Sequence, residues 1–233
     1  MKALLLAAGL GTRLRPLTEH TPKCLVPIHG RPLLDYWLDM LLDGGSVDHA
    51  WINTHYLAAK VAAHVRASRW AARTTLVHEP ELLGTGGTLL ANRAELAGDP
   101  LLVAHADNLC TFDVRKFAAA HAARPPGVQM TMMTFVTDTP ESCGIVELDV
   151  EGRVVAFHEK VRTPPGRVAN GAVYILEPTV IDFLAELGRP VIDLSTEVLP
   201  RFVGRIVAHP NDGYLRDIGT PAALAAAERE FPG

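Results

Sequence analysis

Residues 1–27, MKALLLAAGLGTRLRPLTEHTPKCLVP, decide how the rest of the chain is read. An apolar run from Ala3 to Ala8 passes directly into Gly9-Leu10-Gly11-Thr12-Arg13, and Arg15 and Lys23 follow on a segment punctuated by Pro16, Pro22 and Pro27. That order predicts a buried strand feeding a glycine-rich turn. Glycine has no Cβ and tolerates positive φ, so consecutive backbone N–H groups in such a turn can approach a phosphate. Between Met1 and Leu34 stand five cations, Lys2, Arg13, Arg15, Lys23 and Arg31, against the single acid Glu19, in a chain whose formal charge is −4. A local positive field inside an acidic protein suits a small polyanion and not a nucleic-acid surface. Two phosphate loops are excluded by spacing: G-x-G-x-x-G would need a small residue where Leu14 stands, and G-x-x-x-x-G-K-[ST] occurs nowhere. On their own, Gly9 and Gly11 fit an ordinary turn equally well.

With 233 residues and 48% hydrophobic content, the chain can bury a large core, and one α/β domain is the simplest expectation. No apolar run reaches the roughly 18 residues of a membrane span. Residues 3–8 are also too short for the core of a secretory signal. Three cysteines, Cys24, Cys110 and Cys143, are odd in number and far apart, which excludes a disulfide framework and zinc spacing and predicts a cytoplasmic setting. The ten histidines are scattered and read as packing or surface residues.

Further along, Leu33 to Leu42 has helical spacing up to Gly44-Gly45, with Tyr36 and Trp37 expected to pack. Strands are expected at 50–53 and 74–77, with a helix at 57–67 between them. Asn53 then falls at a strand's C-terminal end, where open α/β sheets place ligand contacts. Gly84, Gly86 and Gly87 open the next helix, and the residues alone leave a glycine-rich helix start and a ligand loop equally open. The apolar strand 100–106 ends in Asp107-Asn108, where a carboxylate must be paired or bound to metal. A helix is expected at 112–122 and a strand at 128–136. Residues 144–148 and 153–157 alternate around Asp149-Val150-Glu151-Gly152 as a hairpin, which implies a mixed sheet. A strand at 168–176, helices at 179–187 and 195–202 and a strand at 204–209 follow. Thr220 and Pro221 start a last helix that runs to Glu230.

The stretch GLGTRLRPLTEHTPKCLVPI resembles the N-terminal signature of the sugar-1-phosphate nucleotidylyltransferases, G-x-G-[TS]-R-[LM]-x-P-L-T followed by P-K-x-L-x-P. Leu83-Gly84-Thr85-Gly86-Gly87 resembles the family's L-G-T-[AG]-G, Glu159-Lys160 its E-K pair, and Asp217-Ile218-Gly219-Thr220 its D-[IV]-G-T. Asp107 matches the family's metal aspartate, usually within N-[GA]-D, although His105 departs from that pattern. The resemblance runs from Met1 to the last helix and is most like the mannose-1-phosphate and manno-heptose-1-phosphate guanylyltransferase branch.

The resemblance implies a Rossmann-like α/β fold, with a mixed, mostly parallel central sheet, helices on both faces and a small β-hairpin region for the sugar. It implies a single nucleotidyltransferase domain over 1–233, mainly nucleotide-binding in 1–110 and mainly sugar-phosphate-binding in 111–233, without a C-terminal β-helix domain. The implied reaction joins a nucleoside triphosphate, expected to be GTP, to a sugar 1-phosphate, releasing pyrophosphate, with Mg²⁺ as cofactor. Arg13, Lys23 and Asp107 are the implied catalytic residues, and Asp107 and Asp217 the metal ligands. The nucleotide falls to Leu6, Ala7, Ala8, Gly9, Gly11, Thr12, Glu81, Gly84, Thr85, Gly86 and Gly87. The sugar phosphate falls to Asn108, Gly144, Glu159, Lys160, Asn170 and Gly171. No nucleic-acid or membrane partner is expected, and a homo-oligomer is left open. Uridylyl or thymidylyl transfer to a hexose 1-phosphate, a phosphocholine-type cytidylyltransferase and a non-catalytic nucleotide-sugar binder are the alternatives.

Overall fold

The computed structural model describes residues 1–232, so Gly233, the last residue of the expected domain, lies outside the described residues. The chain divides into two compact units, one of Met1–Leu82, Ala104–Arg115 and Asp212 onward, the other of Leu83–Val103 and Lys116–Asn211. Its first strands are β1 (Lys2–Leu6), β2 (Pro27–Ile28), β3 (Arg31–Pro32), β4 (His49–Thr54), β5 (Thr74–His78), β6 (Leu101–His105) and β7 (Asn108–Cys110). They are followed by β8 (Met130–Val136), β9 (Gly144–Leu148), β10 (Val154–Glu159), β11 (Val168–Leu176), β12 (Ile206–Pro210) and β13 (Leu215–Asp217). The helices are α1 (Leu33–Leu38), α2 (Ala58–Ala67), α3 (Gly84–Ala91), α4 (Arg93–Leu96), α5 (Val114–Ala122), α6 (Pro178–Glu186), α7 (Leu199–Phe202) and α8 (Pro221–Glu230). The α/β class and the mixed sheet are as the sequence predicts.

In the first unit, β1 pairs in parallel with β4, and β4 with β5. Ala3, Leu4 and Leu5 are wholly buried, as expected of an uninterrupted apolar strand in parallel pairing. Helix α2 buries Val61 and Val65, one turn apart, and leaves Lys60 and Arg66 exposed, while His64 bonds Asp35. Helix α8 starts as predicted: the Thr220 hydroxyl accepts from the Ala223 N–H at 3.2 Å, and Pro221 occupies the first turn, where it forfeits no hydrogen bond.

In the second unit, β11 runs antiparallel to β8 and β9, β10 antiparallel to β9, and β12 parallel to β8. The expected hairpin is present. Its turn is fixed by Asp149, whose Oδ1 accepts from Glu151 N at 2.9 Å and from Arg153 N at 2.8 Å. Met130, Met132, Tyr174, Ile175, Leu176, Phe117 and Phe202 form a core with almost no exposure.

Two local expectations differ from the structure, and two strand pairs were not expected. The helix expected to reach Leu42 is α-helical to Leu38 and continues as a wider π turn over Asp39–Asp43, where Arg69 binds both Asp39 and Asp43. The helix expected from Ser195 is likewise a π turn, Leu194–Val198, before α7. The short pairs β2–β3 and β7–β13 carry no alternating pattern and so gave no signal. Among the described residues, no helix is long and apolar enough to cross a membrane.

His121 is buried on α5, with Nδ1 2.8 Å from Thr131 Oγ1 and Nε2 2.9 Å from Glu177 Oε1, while Arg124 holds the same Glu177 oxygen at 2.8 Å. Burial lowers its pKa and Arg124 adds to that, against the opposing pull of Glu177, so the folded protein keeps the ring neutral below its usual range. The unfolded chain therefore takes up the proton first. The stability from this histidine is complete above about pH 6.5 and declines as the pH falls through the depressed value. Urea midpoints measured between pH 7.5 and 5.5 should fall more steeply in the wild type than in His121→Asn. Equal slopes would remove His121 from the account.

Candidate active site

Strand β1 ends at Leu6, and the glycine turn follows. Gly11 has φ +63°, and a Cβ there would lie 3.0 Å from Thr18 Cγ2, so both the turn and its packing require glycine. Thr18 closes the loop by donating from Oγ1 to Gly11 O at 2.6 Å. Leu6, Ala7 and Ala8 are buried, whereas Gly9, Thr12 and Arg13 are exposed.

Lys23 follows this loop on a short turn and is almost completely buried, its side chain 6% exposed. Its ammonium donates to Asp107 Oδ2 at 3.0 Å and to Asp217 Oδ1 at 3.0 Å. The two carboxylate oxygens are thus no more than twice that distance apart, although the residues are remote in sequence. The cause is the β7–β13 pair, whose antiparallel register sets Asp217 opposite Asn108, the neighbour of Asp107. Trp37 steadies this strand by donating from Nε1 to Asn108 O at 2.9 Å. Arg13 reaches the other Asp217 oxygen, Oδ2, at 3.4 Å. A Cβ at Gly219 would come within 2.7 Å of Arg13 Nη2, so the glycine of the D-x-G motif leaves room for that contact.

Burial alone would raise the Asp217 pKa, but the Lys23 charge and hydrogen bond, then Arg13 and the Gly219 N–H, outweigh it and hold the carboxyl below its usual range. Asp217 is therefore ionised at neutral pH. Cys24, next to Lys23, has its thiol pushed up to about 12 by burial and then by the charge of Asp107, which leaves it protonated and unreactive. Two converging carboxylates beside a glycine turn are a donor set of hard oxygens. Such a set suits Mg²⁺, which needs only one or two protein carboxylates when phosphate oxygens and water supply the rest. Among the described residues, no cluster of three or more His, Cys, Asp or Glu offers an all-protein metal cage.

In the second unit, Gly144, Glu159 and Lys160 come together because Glu159 is paired with Gly144 across the β9–β10 hairpin. A Cβ at Gly144 would lie 2.7 Å from Glu159 Oε2 and from the Phe157 ring, so only glycine lets these side chains cross the strand. Lys160 takes φ 48°, donates its N–H to Cys143 O at 3.1 Å and places Nζ 3.4 Å from Glu159 Oε1. Asn170 and Gly171 lie in a bulge of β11, where the register with β8 shifts between Asn170 and Tyr174. The Asn170 carboxamide accepts from Ala172 N at 3.0 Å and donates to the buried Tyr174 hydroxyl at 2.7 Å.

The Gly84–Gly87 stretch has a packing role that its sequence did not reveal. Gly86 N and Gly87 N both donate to Ile192 O, at 2.9 and 3.2 Å, and the Thr85 hydroxyl accepts from Leu194 N at 2.7 Å. These glycines let residues 190–194 lie against the start of α3, and two of their amides are engaged there. Glu81 precedes them and is exposed. Asn53 bonds both Ala7 N and the buried carboxylate of Glu79, and the acid at 79 was missed because nothing in its spacing marks it.

The family model described as nucleotidyl transferase matches residues 2–232. The chain is 33% identical over 224 residues to a mannose-1-phosphate guanylyltransferase of Mycobacterium tuberculosis (strain ATCC 25618 / H37Rv), covering 94% of this chain and 61% of that protein. It thus spans about three-fifths of the length of the curated relatives it matches. Its fold is similar to that of HddC from Yersinia pseudotuberculosis in a crystal structure with GMP-PN, with a TM-score of 0.81, 26% identity and 99% of each chain covered. A putative glucose-1-phosphate thymidylyltransferase from Bacillus anthracis shares the fold at a TM-score of 0.85 and 22% identity, over 98% of this chain and 94% of that one. From its glycine turn to its last helix, the chain belongs to the nucleotidyl transferase family.

Proposed function

We propose that the protein catalyses NTP + sugar 1-phosphate → NDP-sugar + pyrophosphate in the cytoplasm, with GTP as the nucleotide and mannose or manno-heptose 1-phosphate as the sugar. The observation that carries the reaction class is the Lys23 ammonium held between Asp107 and Asp217 beside the glycine turn. The base and the sugar rest on the kinship with mannose-1-phosphate guanylyltransferases and on the resemblance of HddC, crystallised with GMP-PN. The cytoplasmic setting rests on three free cysteines.

The attacking group is a phosphate monoester with a second pKa near ~6, so it is already largely dianionic at neutral pH and needs no general base. The obstacle is repulsion between two anions. Catalysis is therefore positioning and charge neutralisation. The glycine turn, Leu6 to Thr12, receives the triphosphate. Lys23 uses two of its three ammonium hydrogens on the aspartates, which leaves the third for a phosphate oxygen. Arg13, the more exposed cation, meets the charge that develops on the leaving pyrophosphate. Residues 81–87 border the base, Lys160 steers the attacking phosphate, and Glu159, with Asn108, Gly144, Asn170 and Gly171, orients the sugar. Nucleotide contacts then lie mainly in 1–110 and sugar-phosphate contacts mainly in 111–233. Asp107 and Asp217 would hold a Mg²⁺, which when bound supplies Lewis-acid screening of the phosphates.

A pyrophosphate-release screen crossing four NTPs with mannose, manno-heptose and glucose 1-phosphates and phosphocholine tests the assignment. GTP with a manno-configured acceptor should turn over fastest. Turnover only with UTP, TTP or CTP would overturn the guanylyl reading, and no turnover with any pair would overturn the reaction. Lys23→Ala should lower kcat by roughly 10²-fold or more, the scale for loss of a donor aimed at transition-state charge. A rate near wild type would discard that role. Asp107→Asn and Asp217→Asn should each shift the Mg²⁺ titration to higher concentration, and unchanged titrations would take them out of the metal site.

A further inference from the structure

The β1–β4 ladder ends at the pair Leu6 and Asn53. Beyond it, the backbone of β1 leaves the ladder and the Asn53 side chain takes over, with Oδ1 accepting from the Ala7 N–H at 2.6 Å. The same carboxamide donates through Nδ2 to Glu79 Oε1 at 2.9 Å. Asn53 and Glu79 are both buried, at 3% and 4% exposure, where an unmet donor or acceptor is costly. Glu79 is fixed by its own backbone, since its N–H donates to Thr54 O at 2.9 Å and its carbonyl lies 2.7 Å from His55 Nδ1. Asparagine is the shortest side chain that offers an acceptor and a donor on separate atoms, and this bridge uses both.

We infer that Asn53 is a positioning residue for the glycine turn: it fixes the point at which Ala7 passes into Ala8-Gly9-Leu10-Gly11, and so the direction of the amides that follow, without touching a reactant. The inference rests on the nucleotide reading of that turn. Aspartate at 53 would keep the acceptor for Ala7 but lose the donor and set two buried carboxylates against each other. Exchanging the partners, Asn53→Asp with Glu79→Gln, keeps the acceptor for the Ala7 N–H and restores the hydrogen bond between the two side chains with its polarity reversed.

The test combines hydrogen–deuterium exchange across residues 7–12 of the intact chain, GTP titration calorimetry without acceptor, and steady-state kinetics. Asn53→Asp should speed exchange in the turn and weaken GTP binding by roughly tenfold to a hundredfold, the scale of an ångström-sized misplacement. Its KM for the sugar 1-phosphate should stay within about twofold of wild type, a split that general loosening of the fold does not produce. The exchanged pair should return turn protection and GTP affinity to near wild type. Asn53→Ser, which adds no carboxylate, should show the same losses and is read instead if Asn53→Asp does not fold. Unchanged exchange and affinity, equal damage to both substrates, or no recovery in the exchanged pair would each overturn the inference. A wild-type chain that binds no NTP would overturn the functional reading, and turn exchange alone would then decide whether Asn53 holds the loop.

Discussion

An ammonium group removed from water must have its charge met at close range, and Lys23 meets that demand with two carboxylates drawn from remote parts of the chain. The constraint acts in both directions. Asp107 and Asp217 would repel each other at their separation without a cation between them, and Lys23 would have no reason to stay buried without them. The three groups are therefore held as one unit, and the local structure around them exists to deliver them.

Several neighbouring features can be traced to that delivery, and others serve the segments beside it. The three-residue strands β7 and β13 are too short to contribute much stability, yet their register is what sets Asp217 beside the residue after Asp107. Trp37, fully buried on α1, holds the same strand by a single hydrogen bond to its backbone. Gly219 keeps the approach of Arg13 open, and Gly11 lets the chain reverse over Thr18 before Lys23. Asn53 continues the parallel ladder with its side chain at the point where the backbone must leave it. In the second unit, a glycine on one strand of a hairpin similarly lets Glu159 lie across from it.

Two motifs show how far a pattern of glycines can be trusted. Gly9 and Gly11 read from the sequence as an ordinary turn or a ligand loop equally well, and the structure sets them beside a buried lysine and two acids. Gly84, Gly86 and Gly87 match a ligand-loop signature equally well, and they also let residues 190–194 approach α3, where two of their amides bond a carbonyl. Both stretches require glycine because space is short. Only the surrounding residues tell whether that space is taken by the protein itself.

The sequence by itself determined the buried first strand, the helices with a clear apolar face or a Thr-Pro start, the hairpin around Asp149 and the α/β class, and it singled out Arg13, Lys23, Asp107 and Asp217 as candidates for the chemistry. These are local facts, written in hydrophobic period, turn chemistry and charge, or in an ordered motif. Only the tertiary structure decided that Lys23 is buried between both acids, that a two-stranded ladder with no sequence pattern brings them together, and that Asn53 and Glu79 brace the glycine turn. The physical reason is that a contact between residues 23 and 217, or 7 and 53, depends on strand register and chain path. Neither leaves a period in the sequence near the residues it joins.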